Sequence, residues 1–532
     1  MDMKNDTQSF GPFLGINNRL PDFALNTDKG RWLREADNVD IDNAGAIRRR
    51  DGVFLVQAMT GAHSVWEVSS TAGYLVRGGV LYSFSTSPTY AETIVKILSV
   101  NDTVHYLDEG GVLYYSNGTD SGKIVAGIWF PWGLPTPSVP AVAATTGTLK
   151  PGKYQVAIRY HNSTTGEAGG LSASAVRDVS ITGGIRVTLP GATPGATHVQ
   201  VFVSDLNGSQ TYLSATVAAA SATADISTLT GRSTTGDSEY VEPLPACTNL
   251  FFYKGKLCGA AGSRLFYGAA YYLGYYVPDD GYIDFDDDIF VAIPNLNGVY
   301  VVTASATYWL SGDLKAADRL DRPLPYGGIY GTRFYAPHNR LVGWFGKNGF
   351  VVGDEMGQVS AITQDAVDVA PTGAACSAVL ETRGYRRVVS NGYCVNLENN
   401  ALTTYSDFAF TSFSGEFGTK ADGLYRLSGV QKIDAHASLG KEDFGSELQK
   451  SLPACYVGVS SETPMELRVT TPDAEDYRYL TRSCSTAMRV QRIDPGKGLR
   501  ANWYDLAVHN TDGADFSLAS LSFKPAASGR RI

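Results

Sequence analysis

Between residues 249 and 430, short aromatic and β-branched runs return at a nearly constant interval, which restricts the chain to a repeated β architecture. The reference points are Ser263, Ser305, Gly349, Gly392 and Gly423, separated by 42, 44, 43 and 31 residues. "TYWLSG" (307–312) and "LYRLSG" (424–429) are near copies. Asn348-Gly349, Asn391-Gly392 and Asp422-Gly423 are dipeptides suited to two-residue hairpins in which both central residues take positive φ. A repeat of about 40–50 residues made of short strands is the mark of a propeller blade. The same mark occurs in "GGVLYSF" (78–84) and "GGVLYYSNG" (110–118). The 152 residues from Gly111 to Ser263 are too many for one blade, and fall to blade size if an inserted domain lies between them. We therefore predict a β-propeller-like core of about seven blades. An open stack of β-meanders is the alternative.

The rest of the composition agrees with an all-β chain. Its 532 residues include 30 Tyr and 57 Gly, which favour strands and tight turns. Short helices are predicted only at 31–36 and 441–450. A net charge of −9 argues against general affinity for nucleic acid, which needs a concentrated basic surface. Six cysteines (247, 258, 376, 394, 455 and 484) form no CxxC pair and are expected to be reduced core thiols. The first ten residues lack the pattern of a secretory signal, and no apolar run is long enough to cross a bilayer. The expectation is synthesis in the cytoplasm.

Taken in order, residues 1–50 form an arm and hairpin with little core of its own, expected to pack across a subunit boundary. Residues 51–136 hold the first part of the propeller. The proline-rich stretch 131–140 reads as a stiff linker. Residues 137–243 change character. Tyr154, Val156, Ile158 and Tyr160 point one way while Lys153, Gln155, Ala157 and Arg159 point the other, and Ile185, Val187 and Leu189, and Val199, Val201 and Val203, form further such strands. That pattern describes an immunoglobulin- or fibronectin-III-like sandwich with its own core. Residues 244–430 resume the propeller, and 431–532 form a C-terminal β segment that closes or flanks it.

"READNVDIDNAGAIRRRDGV" (34–53), after a turn-rich start, resembles the opening of tail proteins of double-stranded-DNA bacteriophages. "YYVPDDGYIDFDDDIFVAIPNLNGVYVVTASATYWLSG" (275–312) is similar to the same group. The nearest family is the tail nozzle proteins of short-tailed phages, which are built on a β-propeller. The resemblance covers about 300 residues, outside the insert and the C-terminus, and rests on loose patterns. It implies a structural protein of the virion tail, a homohexameric ring that acts as a DNA-ejection conduit. It also implies docking to a head-to-tail adaptor or portal and to tail fibres, with transient passage of duplex DNA and no sequence-specific binding.

No catalytic constellation stands out: GxSxG, HExxH and CxxC are missing, and no Gly-Lys is followed by Ser or Thr. No cofactor, metal or enzymatic activity is expected. Seven dispersed histidines read as surface or turn residues. Two clusters are candidate partner interfaces. Arg48, Arg49 and Arg50 are either a solvated strand edge or a contact with phosphate or an acidic neighbour. The run 279–288, including Asp284, Asp286, Asp287 and Asp288, is either a set of solvated carboxylates around buried aromatics or a Ca²⁺, pore-lining or basic-partner site. The rival function is a carbohydrate-binding or glycan-cleaving propeller, with Tyr271, Tyr272, Tyr275 and Tyr276 contacting sugar beside these acids.

Overall fold

The computed structural model describes residues 7–229, 233–236, 241–315, 320–336, 340–369 and 375–527. Residues 1–6 of the arm, Tyr240 near the end of the predicted insert and His338 lie outside the described residues. The chain is all-β. Neither segment predicted to be helical is a helix. Gly30–Leu33 and Glu35–Asp37 are strands, and 441–450 joins the strands His436–Glu442 and Lys450–Leu452. Tertiary pairing overrides local propensity here, because Glu35–Asp37 is held between the outer strand Leu402–Thr404 and His436–Glu442.

The core is a propeller-like arrangement of seven four-stranded units among the described residues. Their first strands are Ala62–Ser69, His105–Glu109, Thr248–Tyr253, Ile289–Asn295, Phe334–Ala336, Ser377–Leu380 and Ser412–Ser414. Each unit packs on the next, and the last returns to the first. Val76 and Tyr115 share one such apolar cluster, Phe251 and Val299 another, and Leu75 with Phe417 seals the return. The last unit takes three strands from 412–429 and its fourth, Gly52–Ala58, from the other end of the propeller segment.

Most of the repeat marks fall in the same place, the turn between the second and third strands of a unit. This holds for Gly79, Ser263, Ser305, Gly349, Gly392 and Gly423. Gly111 instead turns the first hairpin of its unit. The proposed turn chemistry holds at Asn391-Gly392, where both φ angles are positive (52° and 78°). It fails at the other two dipeptides, because pairing of Gly346 with Gly349 and of Lys420 with Gly423 makes Lys347-Asn348 and Ala421-Asp422 the central residues.

The segment between the second and third units forms two facing sheets. One contains Val142–Leu149, Gly183–Thr188 and Thr223–Ile226; the other Ala175–Val179, Gly152–His161, His198–Ser204 and Thr211–Ala218. Tyr154, Val156, Ile158, Tyr160, Ile185, Val187, Val199, Val201 and Val203 fill the space between them. The approach to this module is packed, not free: Trp132 and Leu134 of the proline stretch are 2% and 1% exposed.

The arm corrects another expectation. Its apolar residues, including Phe10, Phe13, Ile16, Leu33, Val39 and Ile47, are buried within the same chain, in a core shared with Val457, Leu467, Leu506 and Phe523. Val39–Ile41 and Ile47–Arg49 join a sheet with the C-terminal strands Cys455–Ser461, Ser485–Ile493 and Phe516–Phe523. The other sheet of this flanking module continues the sixth propeller unit. It runs from Ser377–Leu380 through Leu402–Thr404 and Glu35–Asp37 to Asp476–Leu480, nine strands in all.

Candidate functional site

The first strands of five units surround a cavity of about 930 Å³ in the hub. Trp66, Tyr106, Phe252, Phe334 and Tyr335 supply aromatic wall, and Arg333 supplies charge. A second cavity of about 420 Å³ adjoins it, lined by Ser64, His105, Tyr330, Cys376 and Phe413. Trp66, Tyr106 and Arg333 border both, so they form the waist between the two spaces. The two rings pack at 5.7 Å between centroids.

Arg333 is fixed by its backbone neighbours. Its Nη1 donates to the carbonyl oxygens of Leu250 (3.0 Å) and Ala292 (3.2 Å), which ties three units together at the hub. Its Nε and Nη2 have no hydrogen-bond partner among the described residues, and no carboxylate there lies within ion-pair distance. Burial pulls its pKa down to about 10, with Tyr330 acting in the opposite direction, so the guanidinium remains charged at neutral pH. Next to it, His105 Nε2 and Tyr330 Oη are 2.9 Å apart. Burial and then the charge of Arg333 lower the imidazole to about 3, so His105 is neutral. The other cations of the larger cavity are neutralised: Lys254 by Asp313 (2.7 Å) and Arg340 by Glu355 (3.2 Å).

Asp108 is the sole carboxylate among the described residues lining the larger cavity. Glycoside hydrolysis by the usual route needs two carboxyl groups flanking the scissile bond. A separate cavity of about 410 Å³ holds three, Asp51, Glu381 and Glu416. Each is engaged by an arginine: Asp51 by Arg383 (2.6 Å), Glu416 by Arg426 (3.5 Å) and Glu381 by Arg386 (3.9 Å).

No protein-family model and no curated protein matches the chain. Solved structures are similar to it at low identity. The WD40 β-propeller domain of Doa1 is 10% identical, with a TM-score of 0.34 over 70% of this chain and 96% of that one. The computationally designed protein Ika8 is 9% identical, with a TM-score of 0.33 over 70% and 99%. An exo-β-1,3-galactanase from Phanerochaete chrysosporium is 9% identical, with a TM-score of 0.19 over 79% and 95%. These likenesses are too loose to carry any residue's role.

The residues singled out in the sequence lie elsewhere. Arg48 is partly exposed and pairs with Asp42 at 3.2 Å. Arg49 is buried and donates to the carbonyl oxygens of Gln431 (2.6 Å) and Gly513 (3.3 Å). Arg50 is buried too, donating to Asn38 Oδ1 (2.7 Å) and stacking over Tyr405 and Phe408. Arg49 and Arg50 are therefore internal braces, which corrects their reading as a surface edge or interface. In the acidic run, Asp284 lies on the outermost strand of its unit, Tyr282–Asp284, and pairs with Arg264 at 2.6 Å. Asp286 and Asp288 are exposed and Asp287 is half-exposed, while Phe285 packs inward on Tyr308. No group of three potential metal ligands exists among the described residues.

Of the four tyrosines beside the run, Tyr272 and Tyr275 are engaged within the chain, and Tyr276 packs edge-on against Phe266. Tyr275 is buried; it donates to Glu167 Oε1 (3.0 Å) and accepts from the Leu134 amide (2.6 Å). Tyr272 donates to the carbonyl oxygen of Ala168. Both hold the base of the inserted module. Tyr271 is 90% exposed. The cysteines are free, but Cys484 is exposed and not a core thiol. The histidines are not all dispersed in space either, because His436 and His509 stack at 4.8 Å. Arg333 escaped notice in the sequence. An arginine in "GTRFYA" carries no local sign that it will face a hub without an ion-pair partner among the described residues.

Proposed function

We propose that the chain is a structural subunit of the tail nozzle of a short-tailed double-stranded-DNA bacteriophage. In this reading its seven units are the blades of a closed propeller, and the two-sheet insert is an immunoglobulin- or fibronectin-III-like module. The observation that best supports it is the way both ends of the chain are tied into the ring. Residues 52–58 supply the closing strand, and the preceding arm shares a core with the C-terminal strands in a sheet continuous with the sixth unit. A body braced in this way resists opening, as a component of a DNA conduit must.

Several features fit that role. The acidic loop 286–288 that follows an outer strand suits contact with a basic neighbour in an assembly. A mildly acidic chain also suits a wall that DNA slides past, since each neutralised phosphate would add affinity and slow transit. The proposed assembly is a homohexameric ring in the virion, below an adaptor or portal, with the insert offered to fibres. The protein acts there without enzymatic turnover. Negative-stain microscopy and native mass spectrometry of the purified protein test this reading. Six-fold rings are expected, alone or on addition of the adaptor; a protein that stays monomeric in both conditions is not a nozzle subunit.

A further inference from the structure

We propose that the hub waist is a binding site for a small ligand bearing an oxyanion, a carboxylate or phosphate group that pairs with Arg333. Three observations carry it. First, a charged guanidinium borders two cavities while its Nε and Nη2 lack partners among the described residues. A planar guanidinium offers two parallel N–H groups in the geometry that a carboxylate or phosphate accepts. Secondly, no carboxylate among the described residues pairs with it: Asp108 lines the same cavity without forming an ion pair with Arg333, and Lys254 and Arg340 hold acids of their own. Leaving a charge partly desolvated and unpaired is costly, so an incoming anion gains more here than on an open surface.

Thirdly, the walls are built to hold more than a bare ion. Trp66 and Tyr106 stand at the same waist, and the larger cavity, at about 930 Å³, has the size of a small-molecule site. Their rings can pack on the face of a sugar or another flat body attached to the anionic group. Arg333 is rigid as well, because Nη1 is anchored to two backbone carbonyls from neighbouring units. The fork is thus held in place before a ligand arrives, which lowers the ordering cost of binding. The site is independent of ring assembly, so its failure would leave the nozzle reading untouched.

Calorimetry and thermal-shift measurements on the full chain decide the matter, with inorganic phosphate, D-glucuronate and D-glucose as probes. One or both anions should bind and stabilise the protein, and glucose should do neither. Binding of phosphate alone would assign a free phosphate group; tighter binding of glucuronate would assign an acidic sugar. In the second case Trp66→Leu should weaken glucuronate while leaving any phosphate binding in place. Arg333→Gln should weaken the bound anion about ten-fold or more, the worth of a charged hydrogen bond. Because Arg333 also braces the backbone, Arg333→Lys provides a variant that keeps the charge and loses the fork, with an intermediate affinity expected. Wild-type protein that binds neither anion at millimolar concentration overturns the proposal. So does an Arg333→Lys or Arg333→Gln protein that binds as tightly as wild type.

Discussion

Lys123 Nζ of the second propeller unit lies 2.5 Å from Glu167 Oε2 of the inserted module, with both side chains nearly buried (9% and 13% exposed). Tyr275 of the third unit donates to the other carboxylate oxygen, and Lys123 also reaches the Trp132 carbonyl oxygen at 3.3 Å. One carboxylate therefore fixes the insert to two neighbouring units.

Removing one member of such a pair leaves the other charged and poorly solvated. Glu167→Ala should lower stability to urea by about 3–5 kcal/mol, whereas Lys123→Met with Glu167→Leu should recover much of that loss. Equal destabilisation by the single and double changes would mean that the ion pair does not couple the two modules.

The insert has its own core, so an isolated fragment spanning 137–243 should melt cooperatively with a β-rich circular dichroism spectrum. Replacing it with a Gly-Ser linker should leave the propeller folded only if Lys123 is changed to Met at the same time. A loop change alone alters closure cost by about 1 kcal/mol, less than the cost of stranding the lysine. Proteolysis and calorimetry of the two deletion proteins would separate these effects.

Docking of the arm can be tested at Gly15, which has φ +106° and rests on the backbone of Leu402. A Cβ there would lie 2.6 Å from the Leu402 nitrogen, against backbone that cannot swing aside. Gly15→Ala should cost about 2 kcal/mol or more and expose the arm to protease. Deleting 1–30 should be worse, because it removes Phe10, Phe13 and Ile16 from the shared core. An unchanged melting temperature for the truncated protein would show that the arm is dispensable to the fold.

Acid should destabilise the protein partly through two histidines. Burial and Arg333 hold His105 at about 3; burial, Arg468, His436 and Arg478 do the same for His509. The unfolded chain takes up these protons near pH 6.5, the native state only near 3. Stability from this source is complete above pH 6.5 and falls as pH drops from there towards 3. Each histidine contributes at most about 1.4 kcal/mol per pH unit. Urea midpoints measured from pH 7 to pH 4 should fall less steeply in a His105→Gln, His509→Gln protein than in wild type, and parallel curves would refute this assignment.

The all-β class, the repeat and the sandwich alternation could be read directly from the sequence. Strand periodicity is a local property, and Tyr154, Val156 and Ile158 bury the face that their spacing dictates. The turn at Asn391-Gly392 was legible for the same reason, whereas hairpin register moved the turns near Gly349 and Gly423 by one residue. Only the tertiary structure decided which distant segments meet. It placed Gly52–Ala58 beside Gly423–Gly429, turned 31–36 from an expected helix into strands, and drew Arg49 inward to Gln431 and Gly513. It also left Arg333 facing the hub with no carboxylate paired to it among the described residues. Such pairings join residues up to hundreds of positions apart, and their free energy comes from burial and charge in the assembled fold, so no short window of sequence carries their signal.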